Sequence, residues 1–591
     1  MREAYRKKES FETRIQPPGK EIANAFDAGV IPRNTGRLRN PKRISAVGFC
    51  MGAGLQSVPG GCIVIGKDRI SAHRHSPFPE SIPVMTRTTK HLGITSVLLL
   101  TSVTASAMSF THYSSSEKDG FWIKSEAKTV VDGSTLPVPS ESRHFFGMDA
   151  GDGSNAIVTF KGWGTCFNEL GWDALQILPE EKRGELLKRI FAPDGDLKYT
   201  HGRISLGAND YARGWYSAAE VPGDFELRYF NMSRDLSTII PYIHEAQKYN
   251  PRLWFWCSPW SPPAWMKINQ DYPVLSSRYN RMDSRIDYLL HTNPDMQADG
   301  SKFPDLPAGQ DYMIMDPRYL KAYADYFCRC IEAYALSGIP IKRVMYQNEA
   351  YSYTPYPGCP WTPKGAALFN GEYLAPALKE KHPDVELYLG TINTNRFDEV
   401  DRILSDPHIV GKDLFRGIGF QWEGSQIIRD VHQKYPFLRI VQTESECGDG
   451  RFDWRGALYT FAVINDYLGK GCEEYTFWNV ILCDNGESAW GWRQNALIRV
   501  NSKEKTAEFT PEYYAVMHYS HFVTAGTKLL NTINGRFDQV PAAVFITPEG
   551  KHIVVAANRD DKSEAVLSIR FGKERLDAVL PPHSMHTFTE D

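Results

Sequence analysis

From about residue 155 the chain alternates short apolar runs with longer amphipathic stretches. The runs read "AIVTFKGWG", "GRISLGAND", "LWFWCSPWSPP", "KRVMYQNEA", "ELYLGTINT", "GIGFQWEG", "RIVQTESEC" and "EYTFWNVIL". Between them lie stretches of helical period, such as "LPEEKRGELLKRIF", "STIIPYIHEAQKYN" and "PRYLKAYADYFCRCIEAYALSG". Continuous apolar strands separated by amphipathic helices predict a parallel sheet, because a crossover helix connects parallel neighbours compactly. Eight such units between residues 155 and 503 predict a closed (β/α)8 TIM barrel. An open doubly wound sheet is the alternative, and no glycine-rich phosphate loop follows the first run to support it.

The pattern changes at both ends. From residue 504 to 591 short runs alternate apolar and polar positions between turns, as in "VFITPEGKHIVVAANRDDKSEAVLSIRF", which predicts an appended antiparallel β-sandwich side domain. Residues 108–154, with "FWIKSEAKTVVDG", are expected to add strands to it. Residues 1–84 show no sustained periodicity and are unassigned, an expected misannotated extension. At Met85 the text changes: Arg87, Lys90 and His91 precede the apolar run Leu92–Thr104, and Ala105-Ser106-Ala107 gives a small-x-small cleavage pattern. At about 13 residues the run is short for a membrane span. A signal peptide over 85–107, cleaved after Ala107, is expected. It predicts a secreted or periplasmic product with no integral membrane span in the mature chain.

Composition narrows the partners. Net charge is −3 with no block of like charge, so neither nucleic acid nor an anionic membrane has electrostatic support. Aromatic residues reach 12%, with 14 tryptophans, and indoles stack on the flat apolar faces of sugar rings. The ten cysteines form no C-x-x-C pair, and His73 and His75 in "HRHSP" are too isolated to argue for a metal.

The ends of the eight runs carry the chemistry, because in such a barrel the strand C-termini build the active site. They present Asn168 and Glu169, Asn209 and Asp210, Trp260, Asn348 and Glu349, then Asn393, Gln421 and Glu423, Glu444 and Glu446, Trp478 and Asn479. None presents a histidine, which disfavours a metal-dependent hydrolase. Glu349 after the fourth run and Glu444 after the seventh lie nearly opposite each other across an eight-stranded barrel, so their carboxyls can flank one bond. Retaining glycoside hydrolysis needs two carboxyls about 5–5.5 Å apart, one ionised and one protonated. A non-catalytic glycan-binding barrel could dispense with one of them, and both are present.

These residues resemble glycoside hydrolase family 30, the glucosylceramidase and endo-β-1,6-glucanase-like branch of the retaining (β/α)8 clan, from about residue 155 to the C-terminus. Asn348-Glu349 matches the family's acid/base motif and Thr443-Glu444 its nucleophile motif, while "SPWSP" (Ser258–Pro262) with Trp265 and Trp478-Asn479 match two others. The resemblance implies that Glu349 is the acid/base and Glu444 the nucleophile, with Glu446 the alternative nucleophile. It further implies that Asn348 bonds the 2-hydroxyl, Trp260 and Trp478 wall the sugar, and Glu169 in "GWGTCFNE" holds outer hydroxyls. No cofactor or metal is implied.

The chain departs from the glucosylceramidases at Gln421-Trp422-Glu423, where they have His-Trp-Tyr, and these three are expected to set specificity. Asp484, Trp490 and Trp492 on the last loop are either further specificity residues or packing. The expected activity is a secreted retaining β-glycosidase acting on β-linked glucosides or glucans. A xylan-, xyloside- or fucoside-active relative is the alternative.

Overall fold

Each of the eight runs forms a strand: β1 (Gly162–Phe167), β2 (His201–Ser205), β3 (Trp254–Ser258), β4 (Ile341–Met345), β5 (Glu386–Ile392), β6 (Gly417–Gln421), β7 (Arg439–Glu444) and β8 (Glu474–Phe477). The structure is a computed structural model and describes residues 107–131, 144–150, 154, 156–277, 280, 311–445, 448–530 and 538–591. The strands are parallel, in the order β7-β6-β5-β4-β3-β2-β1-β8. The seam between β7 and β8 is drawn together by the Glu473 amide donating to the Ile440 carbonyl at 2.8 Å and the Thr476 amide donating to Gln442 Oε1 at 2.7 Å. Every residue of β1, β2, β6 and β8 is buried, as expected for strands covered on both faces.

The helices follow their periodicity. In Pro317–Leu336 the buried positions Leu320, Tyr323, Phe327, Ile331 and Tyr334 repeat at three- and four-residue spacing. Its start is set by Pro317 at the first turn and by the Asp316 carboxylate, which accepts from the Arg318 amide.

Two boundaries differ from the pattern. The first run divides: Val158–Thr159 pairs with Lys528–Leu529 in the side domain, and the barrel strand begins only at Gly162. Helix Pro511–Ser520, inside the stretch that alternation gave to the side domain, packs on barrel helix Trp454–Gly469. It is buried almost all round, so it shows no amphipathic stripe by which to place it.

The side domain is two sheets. One has the order Gly120–Lys128, Ser109–Ser116, Ser584–Glu590, His552–Asn558, Ala542–Ile546, Lys528–Leu529 and Val158–Thr159; the other joins Val130–Val131, Glu574–Leu580, Ala565–Phe571 and His144–Asp149. The period of two explains how the first sheet serves two cores. Val554 and Ala556 face the second sheet with Leu567 and Ile569, while Ile553 and Val555 join the barrel core with Tyr519 and Val516. No helix among the described residues is long and apolar enough to cross a membrane. Residues 1–84 and the expected signal segment up to Ser106 lie outside the described residues.

One buried histidine binds the two bodies together, and two more lie beside it in the sandwich. His518, on helix Pro511–Ser520, reaches Thr587 Oγ1 at 2.9 Å and Ser115 Oγ at 3.0 Å, while His112 Nε2 meets His586 Nδ1 at 2.9 Å. Burial pushes His518 down to about 3 and His112 down to about 4. A folded pKa below the unfolded one means that the unfolded chain takes up protons first, so this stability is present at neutral pH and lost as pH falls from about 6.5 towards 3–4. For His518 alone the loss at pH 4.5 is on the order of 2 kcal/mol. His518→Gln should therefore narrow the gap in melting temperature between pH 7 and pH 4.5. Thermal unfolding at both pH values measures this, and an unchanged gap would show that His518 is not the acid-sensitive group.

Candidate active site

The site is built at the C-terminal ends of the barrel strands. After β4 the chain is held by neighbours on both sides: the Asn348 amide donates to the Pro259 carbonyl at 2.8 Å, and the Thr391 amide donates to the Gln347 carbonyl at 2.6 Å. Gln347 is structural, its Nε2 donating to the Trp260 carbonyl at 2.6 Å. Glu349 then adopts a left-handed conformation with φ of 46°, and its amide donates to Thr391 Oγ1 at 3.2 Å. Trp422, just after β6, does the same with φ of 51°. Non-glycine residues rarely adopt this region, and both occur where a strand ends at the site.

Arg203 on β2 is the organising group. Fully buried inside the barrel, it donates from Nη1 to Glu444 Oε2 at 2.6 Å and from Nη2 to Asn348 Oδ1 at 2.6 Å. Its guanidinium also reaches Ser258 Oγ and lies over the ring of Trp260 at 4.2 Å. Trp260 in turn stacks on Trp478 at 5.2 Å. Gln421 Nε2 donates to Asn348 Oδ1 at 3.3 Å, and its Oε1 accepts from Thr443 at 3.2 Å. One carboxamide oxygen thus receives donors from β2 and β6, which fixes the Asn348 rotamer. Tyr356 donates its hydroxyl to Glu349 Oε2 at 2.9 Å.

The structure therefore brings together Glu349, Glu444, Asn348, Gln421, Trp260 and Trp478, with Trp422 beside Glu444. Glu423 lies in the first turn of the short helix Trp422–Ile427 and is half-buried. Glu446 lies outside the described residues. Asn479 is scaffold, accepting from Asn168 at 2.9 Å and donating to Gln494 at 2.7 Å.

Glu169 is the correction. Both its oxygens are occupied, by Arg234 at 2.7 and 2.8 Å and by the Arg213 amide at 2.8 Å, so it braces the loop after β2 and has none of the expected freedom to hold sugar hydroxyls. It stands two residues past the strand end, as the first residue of helix Glu169–Ile177. The carboxyl that faces the pair is Asp210. The sequence shows it at the end of the second run, but nothing in the run separates it from a solvated strand end. Arg203, embedded in "GRISL", gave no signal at all, because a strand-interior arginine reads as surface.

Burial pushes the Glu444 carboxyl up to about 7, with Glu349 adding to the rise and with Arg203 and a hydrogen bond from Trp422 opposing it. Asp210 is pushed well above the usual carboxylate range, first by burial and then by Glu444 and Glu349. The carboxyls titrate as a cluster rather than singly. Arg203 touches Glu444, and that contact offsets part of the rise that burial imposes on it. Burial and the Glu349 charge push the Tyr356 phenol upward, which keeps it a donor.

Two carboxyls at opposed strand ends, walled by stacked indoles and fringed with carboxamides, define a glycoside hydrolase barrel. The family is explicit: the chain matches the Glycosyl hydrolase family 30 TIM-barrel domain over residues 160–280 and 307–523 and the family's beta sandwich domain over 529–588. It belongs to glycosyl hydrolase family 30. It is similar to the lysosomal acid glucosylceramidase of Mus musculus, with 26% identity over 459 residues covering 72% of this chain and 80% of the relative. It is also similar to the endo-1,6-beta-D-glucanase of Neurospora crassa, at 21% over 502 residues, covering 81% and 92%. The fold matches the crystal structure of SrfJ from Salmonella typhimurium with a TM-score of 0.67 at 19% identity, over 82% of this chain and 99% of that one. The protein is thus a β-glycosidase with a carbohydrate substrate.

A folded pKa above the unfolded one means that the folded state holds a proton the unfolded chain has released, so stability falls as pH rises through this window. Asp210→Asn removes that penalty. The variant should melt higher than wild type at pH 7.5 and show a smaller difference at pH 4, and an equal shift at both would place the Asp210 charge outside the cluster.

Proposed function

We propose that the protein is a retaining β-glycosidase acting on β-linked glucosides or glucans by a two-glutamate double displacement. The observation that carries this is the asymmetry of the pair: Glu444 is held by a buried guanidinium and Glu349 by a neutral phenol. A carboxylate stabilised by Arg203 suits a nucleophile, and a carboxyl beside only a neutral donor suits a proton donor. Glu444 attacks the anomeric carbon, and the bond to the leaving oxygen breaks as Glu349 protonates that oxygen. Glu349 then takes a proton from water, which displaces Glu444 and restores the original configuration.

The surroundings supply recognition. Asn348 has its Oδ1 committed to Arg203 and Gln421, which leaves Nδ2 to donate to the 2-hydroxyl. Asp210 takes the role first expected of Glu169, accepting from outer hydroxyls. Trp260 and Trp478 wall the sugar, and the buried Trp478 indole N–H has no partner among the described residues, so it is an unmet donor at the site. Trp492 packs edge-on against Tyr356 at 4.5 Å, which puts it on the acid side, where the leaving group must sit. Gln421 and the half-buried Glu423 distinguish this site and belong to the choice of sugar. A β-glucosyl substrate is supported by the names of the Mus musculus and Neurospora crassa relatives.

Export is part of the proposal. Met85–Ala107 is read as a signal peptide, and N-terminal sequencing of the native protein should find Met108 as the first residue. A mature end before residue 85 refutes it.

Glu349→Gln should lose at least 100-fold in kcat on unactivated glycosides and far less on aryl glycosides with good leaving groups; equal loss on both removes the acid role. Glu444→Ala should be inactive, and azide should restore turnover with inverted product. Turnover on aryl β-glucosides or pustulan but not on xylan fixes the sugar class, and the reverse pattern transfers it to xylosides.

A further inference from the structure

Glu512 is a fully buried carboxyl that the mechanism does not use. It sits in the first turn of helix Pro511–Ser520, behind the loops that follow β7 and β8. Its Oε1 accepts from Thr460 Oγ1 at 3.2 Å, on helix Trp454–Gly469, and its carboxyl also bonds the Asn495 side chain. Its Oε2 is buried with no partner among the described residues.

Asn495 links this carboxyl to the active-site loop. Its Oδ1 accepts from the Gly450 amide at 2.8 Å and the Phe452 amide at 3.3 Å. At Gly448, in a left-handed conformation, a Cβ would come within 2.3 Å of Asn495 Nδ2, so the loop closes directly over that amide. Gly448–Asp453 is the segment that leads away from Glu444, and Phe452 packs in the aromatic cluster with Trp478 and Trp490. An amide that accepts two backbone N–H groups through oxygen must face its nitrogen to an acceptor, and Glu512 is that acceptor.

We infer that Glu512 is a positioning residue, which sets the orientation of Asn495 and through it holds the 448–453 loop against the Glu444 end of the site. The groups facing it are Thr460, Asn495 and the loop carboxyls Asp449 and Asp453, with no cation in contact among the described residues; Arg451 pairs with Asp449 on the solvent side. Burial, reinforced by the two aspartates, pushes Glu512 up to about 7, so it is protonated at mildly acid pH, and the unpartnered Oε2 is the oxygen left to carry that proton.

The inference rests on the catalytic reading of the Glu349–Glu444 pair, so the test carries a readout that does not. Amide hydrogen exchange over 448–453 is followed together with kcat and KM on 4-nitrophenyl β-glucoside at pH 5.5, for wild type, Glu512→Gln and Glu512→Ala. Glu512→Gln keeps an acceptor for Asn495 and Thr460, and should stay within about two-fold of wild type in kcat with unchanged exchange. Glu512→Ala should lose roughly ten-fold in kcat and exchange faster at 448–453 but not in the strand His552–Asn558. Should the alanine variant fail to fold, Glu512→Asp, which withdraws the acceptor by one methylene, takes its place with the same expected direction.

Wild-type exchange at 448–453 in a folded Glu512→Ala protein overturns the inference. So does a Glu512→Gln protein as impaired as the alanine variant. A wild-type protein that turns over no glycoside refutes the catalytic reading, while the exchange data still decide the role of Glu512.

Discussion

The structure turns on a guanidinium in the middle of a barrel. Removing Arg203 from water is costly, and the cost is offset only if every donor finds an acceptor. Ser258 from β3, Asn348 from β4, and Glu444 with the Thr443 carbonyl from β7 meet that demand, while the faces of Trp256 and Trp260 cover the cation. Because those partners come from strands that are far apart in sequence, satisfying one side chain aligns three strand ends. The same contacts place Glu444 and the Asn348 that precedes Glu349, and the guanidinium opposes the rise that burial imposes on Glu444. A second buried pair, Arg343 with Glu474 at 2.6 Å, sits elsewhere in the barrel and bridges β4 to β8, next to the β7–β8 seam.

The electrostatics of the molecule oppose each other across the physiological range. Glu444, Asp210 and Glu512 hold protons that the unfolded chain would release, so they favour acid conditions. The buried imidazoles His112, His518 and His586 refuse protons that the unfolded chain would accept, so they favour neutral conditions. The carboxyls belong to the barrel's functional end and the imidazoles to its joint with the sandwich. Acidity that suits the site therefore strains the joint, and because the two windows overlap the contributions oppose each other over the same pH range.

The fold was largely legible because its signals are local. Parallel strands covered on both faces are continuously apolar, and crossover helices carry a stripe of period 3.6, so eight repeats appear in the chain without reference to space. The expectation that Glu349 and Glu444 share one site also came from counting, since the fourth and seventh strands of a closed eight-stranded barrel lie nearly opposite each other. Where the chain passes between bodies the pattern failed: Val158–Thr159 is apolar like the strand after it, yet it pairs with the sandwich, and helix Pro511–Ser520 is buried on all sides and has no polar face to orient it.

What the sequence determined by itself is the barrel, its strand order and the family motifs, because periodicity and strand-end chemistry are properties of neighbours along the chain. The tertiary structure decided which polar residues share a space. Glu169 and Asp210 both carry carboxyls and both follow strand ends, but one is saturated by Arg234 and the other faces the pair. Arg203 and Glu512 are invisible in one dimension for the same reason. A buried charge is defined by the partners that compensate it, and those partners are brought to it only when the barrel closes.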